Sequence, residues 1–346
     1  MRLLLGMDRV SDEKLRFAAQ IGVDAVGTAP ATHDAEKGYY EFAPLVNLRS
    51  HVESYGLKLD TINLMPWRWS YKWMLGPPGR DEQIENTQKS IRNIGAAGIP
   101  ILTYNIHALR LFRTSWHAPG RGGAFATGFD IDRVRDAPLM STGSLITSRS
   151  PDIDSGLIPA SHRRPIDDDA MWKNLEYFLK AVIPVAEEAG VKLALHPDDP
   201  PIPSIAGVAR IMRSPEAFRR AIEIVPSPCN GVLFCQGCFA EMGANIIEEI
   251  RYFGSRRKIF FVHFRNIRGD AESFVETFPD EGQVDMLAAM KAYAEVGFDG
   301  PISPDHPLGI EGDTDWGHRY WAYAIGYMRG LAQTSGKRPN EKLEKP

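Results

Sequence analysis

Apolar positions along this chain fall into short, nearly continuous runs separated by longer stretches with helical spacing. Residues 3–6, 24–28, 57–64 and 100–106 read as strands, and so do 191–196, 231–235, 258–263 and 300–304. Helical patterns lie between them. The first is capped by Ser11 and runs to Ala19, and the others span 42–55, 81–97, 167–189, 215–224, 245–253, 283–296 and 316–332. Three of these helices end on a glycine just ahead of the next strand, at Ala97-Gly98, Ala189-Gly190 and Val296-Gly297. Strands that alternate with helices need a parallel sheet, because only a crossover element returns the chain to the same edge.

Eight such units, with no GxGxxG run after the first strand, predict an α/β fold. A single closed (β/α)8 TIM barrel suits them better than an open dinucleotide-binding sheet. The barrel is expected to occupy residues 1–335, followed by a flexible, charged C-terminal tail at 336–346. One stretch, 113–167, breaks the rhythm and is rich in Gly, Ser, Pro, Arg and Asp. So long a connection is usually a lid, a binding loop or a linker. It follows strand 4, so in a barrel it would lie over the C-terminal face as a lid-like insertion, with His117 and Arg121 as candidates to reach a ligand. A linker between two domains is the competing reading, but the strand count needs both flanks to complete one barrel.

Composition narrows the function. The chain has 346 residues, 43% hydrophobic and 24% charged, and a formal net charge of −4. That balance argues against a mainly electrostatic nucleic-acid partner. No apolar run approaches the ~18–20 residues of a membrane span, and the leucines near Met1 are too few for a signal peptide, so a cytoplasmic location is expected. Three cysteines, Cys229, Cys235 and Cys238, cannot form a disulfide framework. Cys235-x-x-Cys238 could be a redox pair or half a zinc site, but no second CxxC accompanies it.

The chemistry gathers where the last four strands end. Strand 5 runs into His196 and then Pro197-Asp198-Asp199-Pro200-Pro201, and strand 6 ends at Cys235. Strand 7 ends at His263, followed by Arg265 and Asn266, and strand 8 leads to Asp305-His306. In a barrel these ends converge on the face that carries catalytic groups. A thiolate, two imidazoles and a carboxylate form a four-ligand set for a divalent transition metal, with Mn, Fe(II), Co and Zn all compatible.

These residues also carry a family resemblance. Leu195-His196-Pro197-Asp198-Asp199-Pro200-Pro201, Val262-His263-Phe264-Arg265-Asn266 and Pro304-Asp305-His306 are similar to segments of mannonate dehydratases, sugar-acid lyases on a xylose-isomerase-like barrel. The span 172–188, Phe274-Val275-Glu276 and Gly282-Gln283-Val284-Asp285-Met286 resemble the same family, and the likeness covers most of 1–335. It implies Mn2+ or Fe2+ held by His196, Cys235, His263 and Asp305. It further implies dehydration of D-mannonate to 2-keto-3-deoxy-D-gluconate in hexuronate breakdown, and a homo-oligomer is expected. The chain departs from the family at Gln236-Gly237-Cys238-Phe239, at Pro307-Leu308, within 112–116, and at His318, which stands where the family has a catalytic Tyr.

Such a reaction removes the C2 proton and expels the C3 hydroxyl, so it needs a base that works near neutral pH. His318 or His306 fills that role in this reading, with Asp305 both a ligand and close to the leaving group. Arg265 is expected to fork the substrate carboxylate, though a salt bridge at the barrel rim would suit it equally. Asn266, Asp198 and His107 are the other substrate-contacting candidates; Asp198 and Asp199 could instead orient the ligand imidazoles. A metal-dependent sugar isomerase or epimerase and a non-catalytic sugar-acid binder are the alternatives.

Overall fold

The computed structural model describes residues 1–30, 37–63, 65–76, 78–109, 112–136 and 160–334. Eight parallel strands close on themselves: β1 (Arg2–Met7), β2 (Ala25–Thr28), β3 (Lys58–Ile62), β4 (Ile101–Tyr104), β5 (Lys192–Leu195), β6 (Asn230–Cys235), β7 (Ile259–His263) and β8 (Pro301–Ser303). Each neighbours the next in sequence, and β8 closes the ring on β1 through Arg2 and Pro301. The principal helices outside them are α1 (Asp12–Gln20), α2 (Phe42–Glu53), α3 (Arg80–Ala96), α4 (Asp168–Ala189), α5 (Pro215–Ile224), α6 (Ile246–Ser255), α7 (Met286–Glu295) and α8 (His318–Thr334). The expected α/β barrel is the observed one.

Local chemistry sets the helix ends. Side chains of Ser11, Asp167, Ser214, Asn245 and Asp285 each accept a backbone N–H in the first turn of the helix that follows. Gly190 closes α4 in a left-handed conformation that a side chain would resist. Alternation along the strands then divides the core in two. Leu4, Ala25, Ile101, Ala194, Leu233 and Phe261 form one cluster in the barrel bore, whereas Leu3, Leu5, Val26, Leu193 and Val262 join a larger one shared with the helices.

The stretch expected to be a plain loop after β4 is partly folded. Ser115–Pro119 and Phe125–Asp130 pair as a hairpin, and Ser273–Thr277 and Asn266–Gly269 extend it to a four-stranded antiparallel sheet. The hairpin turns at Gly120-Arg121-Gly122-Gly123, where Gly122 and Gly123 take positive φ. A bridge between Phe125 and Gly309 ties it to the segment after β8. Residues 137–159 of the insertion, and the tail from 336, lie outside the described residues. Among the described residues no helix is long and apolar enough to cross a membrane.

Candidate metal centre

Register brings the donors level. Cys235 on β6 sits beside His263 on β7, and His263 sits beside Ser303 on β8, two residues before Asp305. One strand further round, the backbone N–H of His196 donates to the Tyr104 carbonyl at 2.8 Å. The Cys235 sulfur, a His263 ring nitrogen and an Asp305 carboxylate oxygen all lie within 4.8 Å of one another, as do donors of His196, Cys235 and Cys238. The rings of His196 and His263 are 5.3 Å apart, centroid to centroid. The four expected ligands therefore fall into two overlapping groups that share Cys235.

Their hydrogen bonding suits a cation there. His196 Nδ1 is 2.7 Å from the Pro197 carbonyl, which only accepts, so Nδ1 carries the proton and Nε2 keeps its lone pair. His263 Nδ1 and Asp305 Oδ2 approach to 3.2 Å, yet both are buried atoms without a hydrogen-bond partner among the described residues. Buried polar atoms are nearly always satisfied, so two that meet as an ion pair beside a thiol, without a well-formed hydrogen bond, suit a cation held between them. The donor set of one sulfur, two nitrogens and one oxygen fits a divalent transition metal. Burial would lower the His263 pKa, but the charge of Asp305 and the contact with Cys235 push it up to about 10. Asp305 is held far below the usual carboxylate range: burial opposes this, and His263 and His306 outweigh it. The cluster thus draws positive charge.

His306 stands at the edge of this cluster. It occupies a left-handed backbone position, φ +38°, in the turn after β8, a cost a non-glycine residue bears mainly at functional sites. Its Nδ1 donates to Glu276 Oε1 at 2.6 Å, and its Nε2 is 3.6 Å from Asp305 Oδ1. Glu276 also accepts from Arg113 and Arg265, each at 2.6 Å. Arg113 completes the set with a two-pronged contact to Asp199, at 2.5 and 2.8 Å.

Other expected site residues have different neighbours. Arg265 is buried, and its guanidinium contacts Glu276, Asp199, Glu241, Cys235 and Cys238, so it braces the ligand cluster from below and has no fork free for a substrate carboxylate. Asn266 spends its amide on Pro279 and Val284 carbonyls and its oxygen on Ile267 and Val284 N–H groups, a clamp on the loop before α7. Asp198 is fully buried, accepts from Met212 N–H and lies 3.4 Å from Arg210; burial pushes its carboxyl up to about 6 against that cation. His107 packs edge-on against His196, at 5.6 Å, and meets the same Pro197 carbonyl, so it steadies the ligand ring. His117 packs on Phe125, and Arg121 is engaged by Asp280 and Glu281.

His318 is the clearest departure from expectation. Its ring is packed edge-on between Phe17 and Trp316, Nδ1 meets Thr314 at 2.5 Å, and Nε2 faces Glu13 on α1. Those contacts hold the start of α8 against α1 on the outer wall, and none links the ring to the donor cluster. Sequence reasoning missed Arg113 and Glu241, and quoted Glu276 only as part of the family likeness. Each acts on residues remote in sequence, and only the alternation of Phe274-Val275-Glu276-Thr277 hinted at a strand.

A sequence profile of the D-mannonate dehydratase (UxuA) family matches residues 6–342. The chain belongs to the D-mannonate dehydratase family. It is 36% identical over 352 residues to the mannonate dehydratase of Thermotoga maritima, covering 95% of each chain. It is 34% identical to mannonate dehydratase 2 of Halalkalibacterium halodurans, covering 96% of this chain and 98% of that one. Among solved structures it is similar to the mannonate dehydratase of Streptococcus suis serotype 2, with a TM-score of 0.82, 30% identity and coverage of 100% and 97%. The D-psicose 3-epimerase of Clostridium cellulolyticum H10 shares the fold alone, at 14% identity and a TM-score of 0.60. Membership makes the chain a hydro-lyase and implies a divalent metal, which the converging donors fit.

Proposed function

We propose that this protein dehydrates D-mannonate to 2-keto-3-deoxy-D-gluconate, with Mn2+ or Fe2+ held by His196, Cys235, His263 and Asp305. The observation that carries this reading is the convergence of three donors within 4.8 Å with the His306–Glu276 pair at their edge. Bound there, a divalent cation would supply Lewis acidity for the charge that develops beside the substrate carboxylate. His306 is the base. Glu276 accepts a hydrogen bond from Nδ1–H and, against the effect of burial, raises the His306 pKa together with Asp305. In the neutral ring the Nε2 lone pair lies on the side of Asp305, where the C2 proton can be received. The resulting imidazolium is stabilised by the same carboxylate. The C3 hydroxyl leaves as water with the proton that His306 took from C2, which restores the neutral ring, and the enol returns to the 2-keto form. A cytoplasmic homo-oligomer serving hexuronate breakdown is the setting that goes with this chemistry.

The test is a panel of aldonic acids given to protein stripped with chelator and reloaded with Mn2+ or Fe2+, with 2-keto acid trapped by semicarbazide. Keto acid from mannonate that depends on the metal supports the reading. Metal-loaded protein that forms no keto acid from any aldonate overturns it, and an isomerised sugar as product would favour the isomerase alternative.

A further inference from the structure

Cys238 has no part in the reaction above. Its sulfur lies within 4.8 Å of the Cys235 sulfur, and Arg265 Nη2 donates to both, at 3.4 and 3.1 Å. Two residues separate the cysteines, both are fully buried, and neither is in a disulfide. The guanidinium holds the two sulfurs side by side, and a disulfide needs them to close to about 2.05 Å. Cys229 cannot compete for either partner, because it precedes β6 and is separated from Cys235 by the length of that strand, about 20 Å at 3.3 Å per residue. Both sulfurs are buried, and the neighbouring His263 and Asp305 side chains keep 17% and 15% of their surface exposed, so a small peroxide has to enter on that side.

We infer that Cys235 and Cys238 form a two-electron oxidation site, at which a hydroperoxide joins them as a disulfide and removes Cys235 from the metal's ligand set. The step balances. The Cys235 sulfur attacks the peroxide oxygen, giving a sulfenic acid and water, or an alcohol from an organic peroxide. The Cys238 sulfur then displaces the sulfenic hydroxyl, its thiol proton leaving with it as a second water. Two electrons pass from the sulfur pair to the peroxide. With a metal bound the Cys235 lone pair is engaged, so the metal-free protein reacts and the loaded protein is protected. Reduction by a dithiol restores the ligand.

The consequence for the metal rests on the ligand reading of Cys235; the disulfide itself does not, and separate readouts keep the two apart. Metal-free protein is treated with one equivalent of hydrogen peroxide and followed by thiol titration, intact mass and metal uptake. Titratable thiols should fall from three to one, and the mass should drop by about 2 Da as two hydrogens are lost. Metal uptake should then fall by roughly 10-fold or more and recover with dithiothreitol, the scale expected when a ligand is lost. Prior loading with Mn2+ should suppress the change in mass. In Cys238→Ala, dimedone should trap a sulfenic acid on Cys235, with no 2 Da loss. Three persistent thiols, stable oxygen addition in place of the disulfide, or the same mass loss in Cys238→Ala would overturn the inference. Poor metal uptake by the reduced protein would instead overturn the ligand reading and leave the mass result standing.

Discussion

Glu276 Oε1 accepts a 2.6 Å hydrogen bond from His306 Nδ1 while accepting from two arginines, Arg113 and Arg265. One buried carboxylate thus orients the proposed base, His306, and ties it to the insertion on one side and to the donor cluster on the other. Its charge is secure: burial would raise the Glu276 pKa, but His306, Arg113 and Arg265 hold it well below the usual carboxylate range.

Glu276→Gln keeps the shape and removes the charge that stabilises the imidazolium. We expect kcat to fall by roughly 10²–10⁴-fold, the range of a general acid–base contribution, with KM little changed. Metal content should stay near that of the parent, because Glu276 touches no donor atom. A parallel loss of metal would move Glu276 from positioning the base to supporting the ligand set.

His263→Ala removes a donor from a rigid strand, where no neighbouring side chain can take its place. Elemental analysis after dialysis against a metal buffer should show at least ~10-fold weaker retention, and His196→Ala should behave alike. Full metal content in both variants would exclude the proposed site.

The two variants probe the part of the site that was legible in the chain. β5 to β8 are apolar runs each stopped by one polar residue, and parallel pairing forces those stops to one rim. The roles of Arg265 and Asn266 could not be read in the same way. Arg265 meets Glu276, Glu241 and Asp199, which are 11, 24 and 66 residues away and share no period with it. The antiparallel sheet was hidden for a related reason: its strands are short, carry Arg268, Glu276 and Thr277, and its central pairing, of Ser273–Thr277 with Phe125–Asp130, joins segments more than 100 residues apart. His318 misled because alignment to a catalytic Tyr gives a position in sequence, while the ring's direction is set by Phe17 and Trp316.

His318→Asn therefore tests the assignment of the base. With the ring on the outer wall, turnover should remain within about twofold of the parent, and any loss should appear in stability, on the order of 1 kcal/mol from edge-on aromatic contacts. If turnover instead drops by roughly two orders of magnitude or more with metal bound, the base role returns to His318.

The hairpin tip offers a pH test. Arg121 reaches Asp280 at 2.7 Å and lies over the Phe278 ring at 4.5 Å. Burial would raise the Asp280 pKa, but the hydrogen bond from Arg121 leads the groups that lower it. A carboxylate depressed in the folded state stabilises above its unfolded pKa, near 3.9, and that stability is lost as pH falls through the folded value. Both side chains are about a third to a half exposed, so screening limits the pair to about 0.2–1 kcal/mol. Asp280→Asn should lower stability by that amount at pH 7 and by nothing measurable once the pH is below the depressed folded pKa. Equal losses at both pH values, read from urea midpoints, would show that packing rather than charge holds the tip.

Arg113 is the residue through which the insertion meets the chemistry. Its side chain is fully buried, bonds Asp199 with two prongs and Glu276 with one nitrogen, and lies over Phe274 at 4.9 Å. Removing one member of a buried ionic group strands the charges that remain, at about 3–5 kcal/mol. Arg113→Met fills much of the volume without the charge and should cost that much in denaturant unfolding. Arg113→Lys keeps the charge but offers a single ammonium where a planar fork meets two carboxylates, so it should recover only part of the loss. The two variants should also differ in kcat, because the lysine still neutralises Glu276 while no longer fixing its direction toward His306. If both unfold like the parent, the network is not what joins the hairpin to the barrel, and the pairing with Ser273–Thr277 and the bridge between Phe125 and Gly309 would carry that role.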